Sequence, residues 1–344
     1  MHNRPLKALL LSDGKPGHYH QAEGVLAALA RLRPVETHRM VLRRRFLLPT
    51  RTLQQLLNRG TSPGLVLRLG YGIAGHDLPA ADVVVSAGGE TLAANAAIAK
   101  LLSVPNIFCG RPRRLAEHIR LVIVSLERFA AQPNHLLALP PSPFEVAPSH
   151  QPEPVGPANP LRLAGVLVGG DSGSVTYCAK DWETLVDFLR QSHQSHRLRW
   201  LVTTSRRSDR QVADALAALA AEKDGPIERF IDYRTAGPGT LAHILAAAQA
   251  ILVTADSTTM ITQAVGARLP VVGVASDAGA MEERESEYRD LLARKGWYRS
   301  LSFSELTPNA FLNALAQVTP RKTSALDELA TALQQRLPEL FPVT

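Results

Sequence analysis

The sequence predicts an α/β protein of two doubly wound domains facing across a cleft. Three observations point there. Short, near-continuous apolar runs alternate with helical patterns, which implies parallel sheets covered on both faces. Prolines at 140, 141, 143, 148, 152, 154, 157 and 160 interrupt the alternation once, and neither a helix nor a central strand continues through them. The strand–helix pattern then restarts, and in both halves the loops after the strands are rich in glycine and hydroxyl side chains, as at Rossmann-like ligand crevices. A length of 344 residues exceeds one ordinary core and fits about two domains.

In order, an apolar run from Lys7 to Ser12 ends in the turn Asp13 to Gly17. A helix follows from about Tyr19 to Leu32, with Ala22, Val25, Leu26 and Leu29 on one face. Asp82 to Ser86 reads as a buried strand, followed by Gly88-Gly89 and an alanine-rich helix from Leu92 to Leu102. Strands near Asn106 to Cys109 and Leu121 to Ser125 complete the first half. The second half opens with the strand Leu163 to Val168, then a helix over about Asp181 to Gln191 and the strand Arg199 to Thr203. Next come a helix over Ser208 to Ala221, a short strand at Glu228 to Ile231 and a helix over Thr240 to Ala248. The strand ending at Thr254 leads into a helix that Gly266 and Pro270 separate from the apolar run Val271 to Val274. A last helix spans Ser324 to Arg336. The expected division is a basic N-terminal domain over 1–145, a proline-rich linker over 146–160, a C-terminal domain over 161–320, and a terminal segment, 321–344, whose helix returns to the first domain.

The charge is unevenly placed. Residues 1–150 hold 18 of the 38 Lys/Arg and 9 of the 31 Asp/Glu, so the whole positive excess lies in the first half. A basic half beside a neutral one suggests contact with an acidic surface. Arg43, Arg44, Arg45, Phe46 and Leu47 mix cations with bulky apolar groups, a pattern suited to an anionic membrane surface; a solvated loop is the plainer reading. Nucleic acid is disfavoured, because the basic half lacks interleaved aromatics for base stacking. Cys109 and Cys178 have no metal-ligand spacing and are expected to be buried thiols in a reducing cytoplasm. The opening residues do not read as a signal peptide, and no run reaches the roughly 20 apolar residues of a membrane span. The expected location is cytoplasmic, with peripheral placement on the inner membrane face open.

The most informative stretch is Asp256, Ser257, Thr258, Thr259 and Met260, where a strand ends and a helix begins. The helix N-terminus directs unpaired N–H groups and a partial positive charge into the crevice above the sheet. The hydroxyls there either cap the helix or bind a phosphate or ribose. Gly169, Gly170, Asp171 and Ser172 form a second such loop, where glycine brings backbone close to a ligand or simply makes a tight turn. Thr204, Ser205, Arg206 and Arg207 form a third; the arginines suit a diphosphate without a metal ion, and cations at a helix start otherwise oppose the dipole. In the first half, Asp13, Gly14, Lys15 and His18 occupy the matching loop, which lacks Walker A spacing. His18, Asp13 and Glu90 are the candidate general bases. The acidic cluster Glu282, Glu283, Glu285 and Glu287 reads as a solvated helix face.

Ser12 to His18 with Gln21, Val202 to Arg207, and Val253 to Ser257 with Met260 together resemble the three signature blocks of the mitochondrial-fission (elongated-mitochondria) family. Its bacterial members are grouped with glycosyltransferases, some linked to lipooligosaccharide outer-core assembly. The resemblance spans nearly the whole chain and implies a glycosyltransferase-B-like fold, with the acceptor in the first domain and a nucleotide sugar in the second. It implies further that Gly169 to Ser172 approach the diphosphate and that Asp256 to Met260 grip the donor. A ribose-binding glutamate is replaced here by Gln263, and the block Ser86 to Thr91 lacks the family's paired arginines. The expected function is a metal-independent, cofactor-free hexosyltransferase acting on a cell-envelope glycan or lipid. A non-catalytic membrane-surface scaffold and a nucleotide-sugar epimerase are the alternatives.

Overall fold

A computed structural model describes residues 4–45, 48–146, 159–173, 175–279 and 281–341. Phe46, Leu47 and most of the 146–160 connection lie outside the described residues. The chain divides into two compact units, Met1–Pro143 with Ala325–Thr344, and Phe144–Ser324.

The first unit contains β1 (Leu6–Ser12), α1 (Pro16–Ala30), β2 (Val35–Val41), α2 (Thr50–Asn58), α3 (Pro63–Tyr71), β3 (Val83–Ala87), α4 (Leu92–Leu102), β4 (Asn106–Cys109), β5 (Leu121–Val124) and β6 (His135–Leu137). Its sheet has the order β2-β1-β3-β4-β5-β6 and every pairing is parallel. In the second unit β7 (Leu163–Leu167), α5 (Ala179–His196), β8 (Arg199–Thr203), α6 (Arg210–Ala220), β9 (Ile227–Ile231), α7 (Tyr233–Ala236), α8 (Thr240–Ala247), β10 (Ile251–Thr254), α9 (Thr258–Gly266), β11 (Val271–Ala275), α10 (Glu283–Arg294), β12 (Tyr298–Ser302) and α11 (Pro308–Ala316) follow in order. That sheet has the order β12-β11-β10-β7-β8-β9, again parallel throughout. The final helix, α12 (Ala325–Arg336), belongs to the first unit.

Burial follows the sequence pattern. The inner strands β3, β4, β5 and β10 are buried at every position, as a strand covered on both faces requires. One face of the first sheet packs Val25 and Leu29 of α1 with Leu329 and Leu333 of α12. The other face packs Leu53, Leu67 and the alanines of α4. In the second unit Phe188, Trp200 and Phe311 meet at ring-centroid separations of 5.4–5.5 Å, within the range of favourable aromatic pairs. Cys109 is buried as expected, and burial raises its thiol pKa well above the ordinary value. Cys178 is a correction: it is exposed, because it occupies the N-cap of α5, where its N–H donates to Asp181 Oδ2 at 2.9 Å.

Topology decides where a ligand can sit. In the first unit the chain leaves β1 toward β2 and then crosses to β3 on the other side; in the second it leaves β7 toward β8 and later returns to β10. Crossovers in opposite directions open a crevice at the carboxyl ends of β1 and β3, and of β7 and β10.

Candidate functional site

At the first switch point the loop after β1 carries an Asp–His pair. His18 Nδ1 lies 2.8 Å from Asp13 Oδ2, with side chains 35% and 4% exposed. Asp13 is fixed further by the Lys15 N–H, which donates to its Oδ1 at 3.1 Å. A buried carboxylate at Nδ1 selects the tautomer with the proton on that nitrogen and leaves Nε2 as the free lone pair. Pro16 starts α1 one residue after Lys15, so the turn and the helix set His18 together. The loop after β3 makes room for the ring: a Cβ on Gly88 would stand 2.1 Å from His18 Nδ1, and Gly88 has φ +85°. Glu90 is held differently. Arg44 Nε donates to Glu90 Oε2 at 2.6 Å, and Tyr71 Oη donates to the Glu90 carbonyl at 2.8 Å. Of the three candidate bases, only His18 has a carboxylate orienting it.

The second switch point holds a cavity of about 220 Å³, lined in part by Ser172, Arg207, Ser257, Thr258 and Thr259. Its floor is Asp256, whose side chain is fully buried and pairs with Arg207 Nη2 at 2.5 Å. Thr254 Oγ1 donates to Asp256 Oδ1 at 2.7 Å and Tyr177 Oη donates to the same oxygen at 3.2 Å. Burial, then the Asp256 charge, holds the Tyr177 phenol far above its usual pKa, so it stays a donor. Ser257 caps α9 by accepting the Met260 N–H at 3.3 Å. Arg207, held by its ion pair to Asp256, and the start of α9 thus meet at one hollow.

The other predicted residues are distributed unevenly around this cavity. Gly169 and Gly170 are not among its lining residues, and both are closely packed: a Cβ on Gly169 would meet the Asp256 carboxylate at 2.1 Å, and one on Gly170 would meet the Arg207 carbonyl at 1.9 Å. Asp171 accepts the Tyr177 N–H at 3.0 Å. Thr204 is turned away, donating to Asp232 Oδ1 at 3.3 Å and accepting the Tyr233 N–H at 2.9 Å. Ser205 Oγ closes its own turn by accepting the Arg207 N–H. Arg206 is exposed and, like Met260 and Gln263, does not line the cavity. The acidic cluster is the converse correction. Glu282 and Glu285 do line the cavity, and Glu285 accepts the Thr258 hydroxyl hydrogen bond and an Arg289 ion pair at 2.9 Å. Sequence periodicity marks these glutamates only as a helix face; their approach to α9 is a tertiary event. Among the described residues no group of three or more His, Cys, Asp or Glu is placed to hold a metal ion, and no helix is long and apolar enough to cross a membrane.

The architecture is glycosyltransferase-B-like. The chain is similar to MurG of Acinetobacter baumannii (15% identity, 96% of this chain and 100% of that one, TM-score 0.51). It is similar also to S. aureus MnaA, solved with UDP (12% identity, 98% of each chain, TM-score 0.55). A third similar structure is a Listeria monocytogenes protein assigned as a UDP-N-acetylglucosamine 2-epimerase (10% identity, 99% of each chain, TM-score 0.54). No curated protein matches the sequence significantly. A family description, Mitochondrial fission ELM1, matches residues 16–337, and so the chain belongs to the mitochondrial fission ELM1 family.

Proposed function

We propose that the protein is a glycosyltransferase that moves a sugar from a nucleotide-diphosphate donor to a cell-envelope glycan or lipid. The observation that carries this reading is the shared cavity of Arg207, Ser257, Thr258 and Thr259 at the β7/β10 switch point. In it the guanidinium and the α9 N-terminus stabilise the departing diphosphate without a metal ion or other cofactor. Glu282 and Glu285, on the acidic wall, accept hydrogen bonds from donor hydroxyls, the task expected of Gln263. In the first unit His18 Nε2 takes the acceptor hydroxyl proton, and Asp13 steadies the resulting imidazolium. The acceptor oxygen bonds to the anomeric carbon, and the bond from that carbon to the diphosphate breaks with its electron pair leaving on the nucleotide. The Arg43 to Leu47 segment would meet an anionic membrane on the cytoplasmic side through Arg43 and Arg45 to Leu47, Arg44 being paired with Glu90.

The test is release of nucleoside diphosphate from a panel of nucleotide sugars in the presence of a lipid-linked glycan extract. His18→Ala should lower turnover by about 10²- to 10⁴-fold, the range of general-base catalysis. Turnover unchanged in His18→Ala would refute the role of the pair. Isomerised nucleotide sugar formed without any acceptor would assign an epimerase instead.

A further inference from the structure

Between Glu36 and Asp77 the chain has seven arginines and no Asp or Glu. Helix α3 lies inside this stretch and is apolar on both sides. Val66, Leu67 and Tyr71 enter the core, while Leu65 and Leu69, one turn apart, stand 47% and 40% exposed with Arg68 beside them. Only five large hydrophobic side chains are exposed among the described residues, and Val41, Leu65 and Leu69 all belong to this stretch. A helix that is apolar all round and not enclosed by protein needs another low-polarity surface.

The neighbouring arginines divide into two sets. The Arg45 N–H donates to the Gly70 carbonyl at 2.8 Å, and Arg45 Nη2 lies 3.0 Å from where a Cβ of Gly72 would be, so this cation rests on the carboxyl end of α3. Arg44 points the other way, to Glu90, and Tyr71 of α3 holds the Glu90 carbonyl. Helix α3 is thus tied directly to the turn that carries Gly88, on which His18 rests.

We propose that the exposed face of α3, with Leu65, Leu69, Arg68 and Arg45, docks into the headgroup region of an anionic phospholipid surface, so that an amphiphilic acceptor reaches the Gly88–Glu90 turn from the membrane interface. Two leucines supply the apolar insertion, and Arg68 and Arg45, in a stretch of sequence that contains no Asp or Glu, supply charge complementarity. The delivery of an acceptor rests on the glycosyltransferase reading; the docking does not.

The test is co-sedimentation of the full chain, without nucleotide sugar, with vesicles of phosphatidylcholine alone or with 30% phosphatidylglycerol added, at low and high salt. Binding should require the anionic lipid, weaken with salt, and fall by at least about tenfold in Leu65→Ser/Leu69→Ser. Arg68→Gln should weaken it by roughly fivefold, the share of one cation near the surface. Leu137→Ser removes an exposed leucine on the far edge of the sheet and should bind as wild type. Equal loss in Leu137→Ser, no loss in the double variant, or binding of an RNA oligomer but not of vesicles would overturn the proposal. Because no sugar is present, inactive but membrane-binding protein would refute only the transferase reading, and active but non-binding protein only the docking.

Discussion

Asp256→Ala tests whether the floor of the second cavity is a built network. The wild-type carboxylate is fully buried and accepts bonds from Arg207 at 2.5 Å, Thr254 at 2.7 Å and Tyr177 at 3.2 Å. Removing one partner of a buried pair costs about 3–5 kcal/mol. Arg207 is 36% exposed and water can resolvate it, so its share is reduced. Thr254 and Tyr177 are less exposed and each lose an acceptor, at about 1–3 kcal/mol for a group left unsatisfied. Thr254 keeps the Leu167 carbonyl at 3.5 Å as a second acceptor, so its share lies near the low end, about 1 kcal/mol, and the total falls at about 2–4 kcal/mol. All three tryptophans, Trp182, Trp200 and Trp297, lie in the same unit as Asp256, so tryptophan fluorescence reads its unfolding in urea. With a slope of about 2–3 kcal/mol per molar, the midpoint should fall by roughly 1 M. A midpoint within about 0.3 M of wild type, at unchanged slope, would refute the network.

Two further outcomes follow from the first unit. Gly88→Ala combines a backbone φ of +85° with a Cβ 2.1 Å from His18 Nδ1; it should destabilise by about 1–3 kcal/mol and abolish the low-field Nδ1 proton resonance expected of the His18–Asp13 bond, whereas a retained resonance would contradict that packing. His118 has its pKa lowered by burial first and by Lys100 second. The unfolded chain then binds more protons at this site than the folded one below the ordinary histidine pKa of about 6.5. Stability should therefore rise with pH from the folded pKa of His118 up to about 6.5, and Lys100→Met should raise that pKa in an NMR titration. Titration of wild-type His118 at or above 6.5 would count against it.

Much of the fold is legible from apolar period alone, and the reasons for the exceptions are physical. The strand Asn106–Cys109 and the helix Leu92–Leu102 appear with the ends the sequence predicts, because buried strands and alanine-rich helices carry their signal in every residue. Strand β2 escapes notice because its sequence VETHRMV is largely exposed on the sheet edge, so only hydrogen bonding to β1 makes it a strand. Helix α3 hides for the opposite reason: leucines on both sides erase the amphipathic stripe.

The sites show the same division. Loops at strand ends mark Asp13, His18, Arg207 and Ser257 to Thr259 without any coordinates. Which neighbour fills a glycine's empty side is not a local property, and at Gly169 it is Asp256. Thr204 and Ser205 look free in sequence, yet their hydroxyls serve Asp232 and the adjoining turn. Glu285 is 27 residues from Thr258, and only packing of α10 beside α9 joins them.

Isothermal titration of uridine diphosphate against the wild type and Arg207→Ala tests the donor cavity most directly. A charge-assisted hydrogen bond lost at about 1.5–3 kcal/mol corresponds to roughly 10- to 150-fold weaker binding. The account predicts saturable wild-type binding that Arg207→Ala weakens within that range. Equal affinity in both proteins would contradict it.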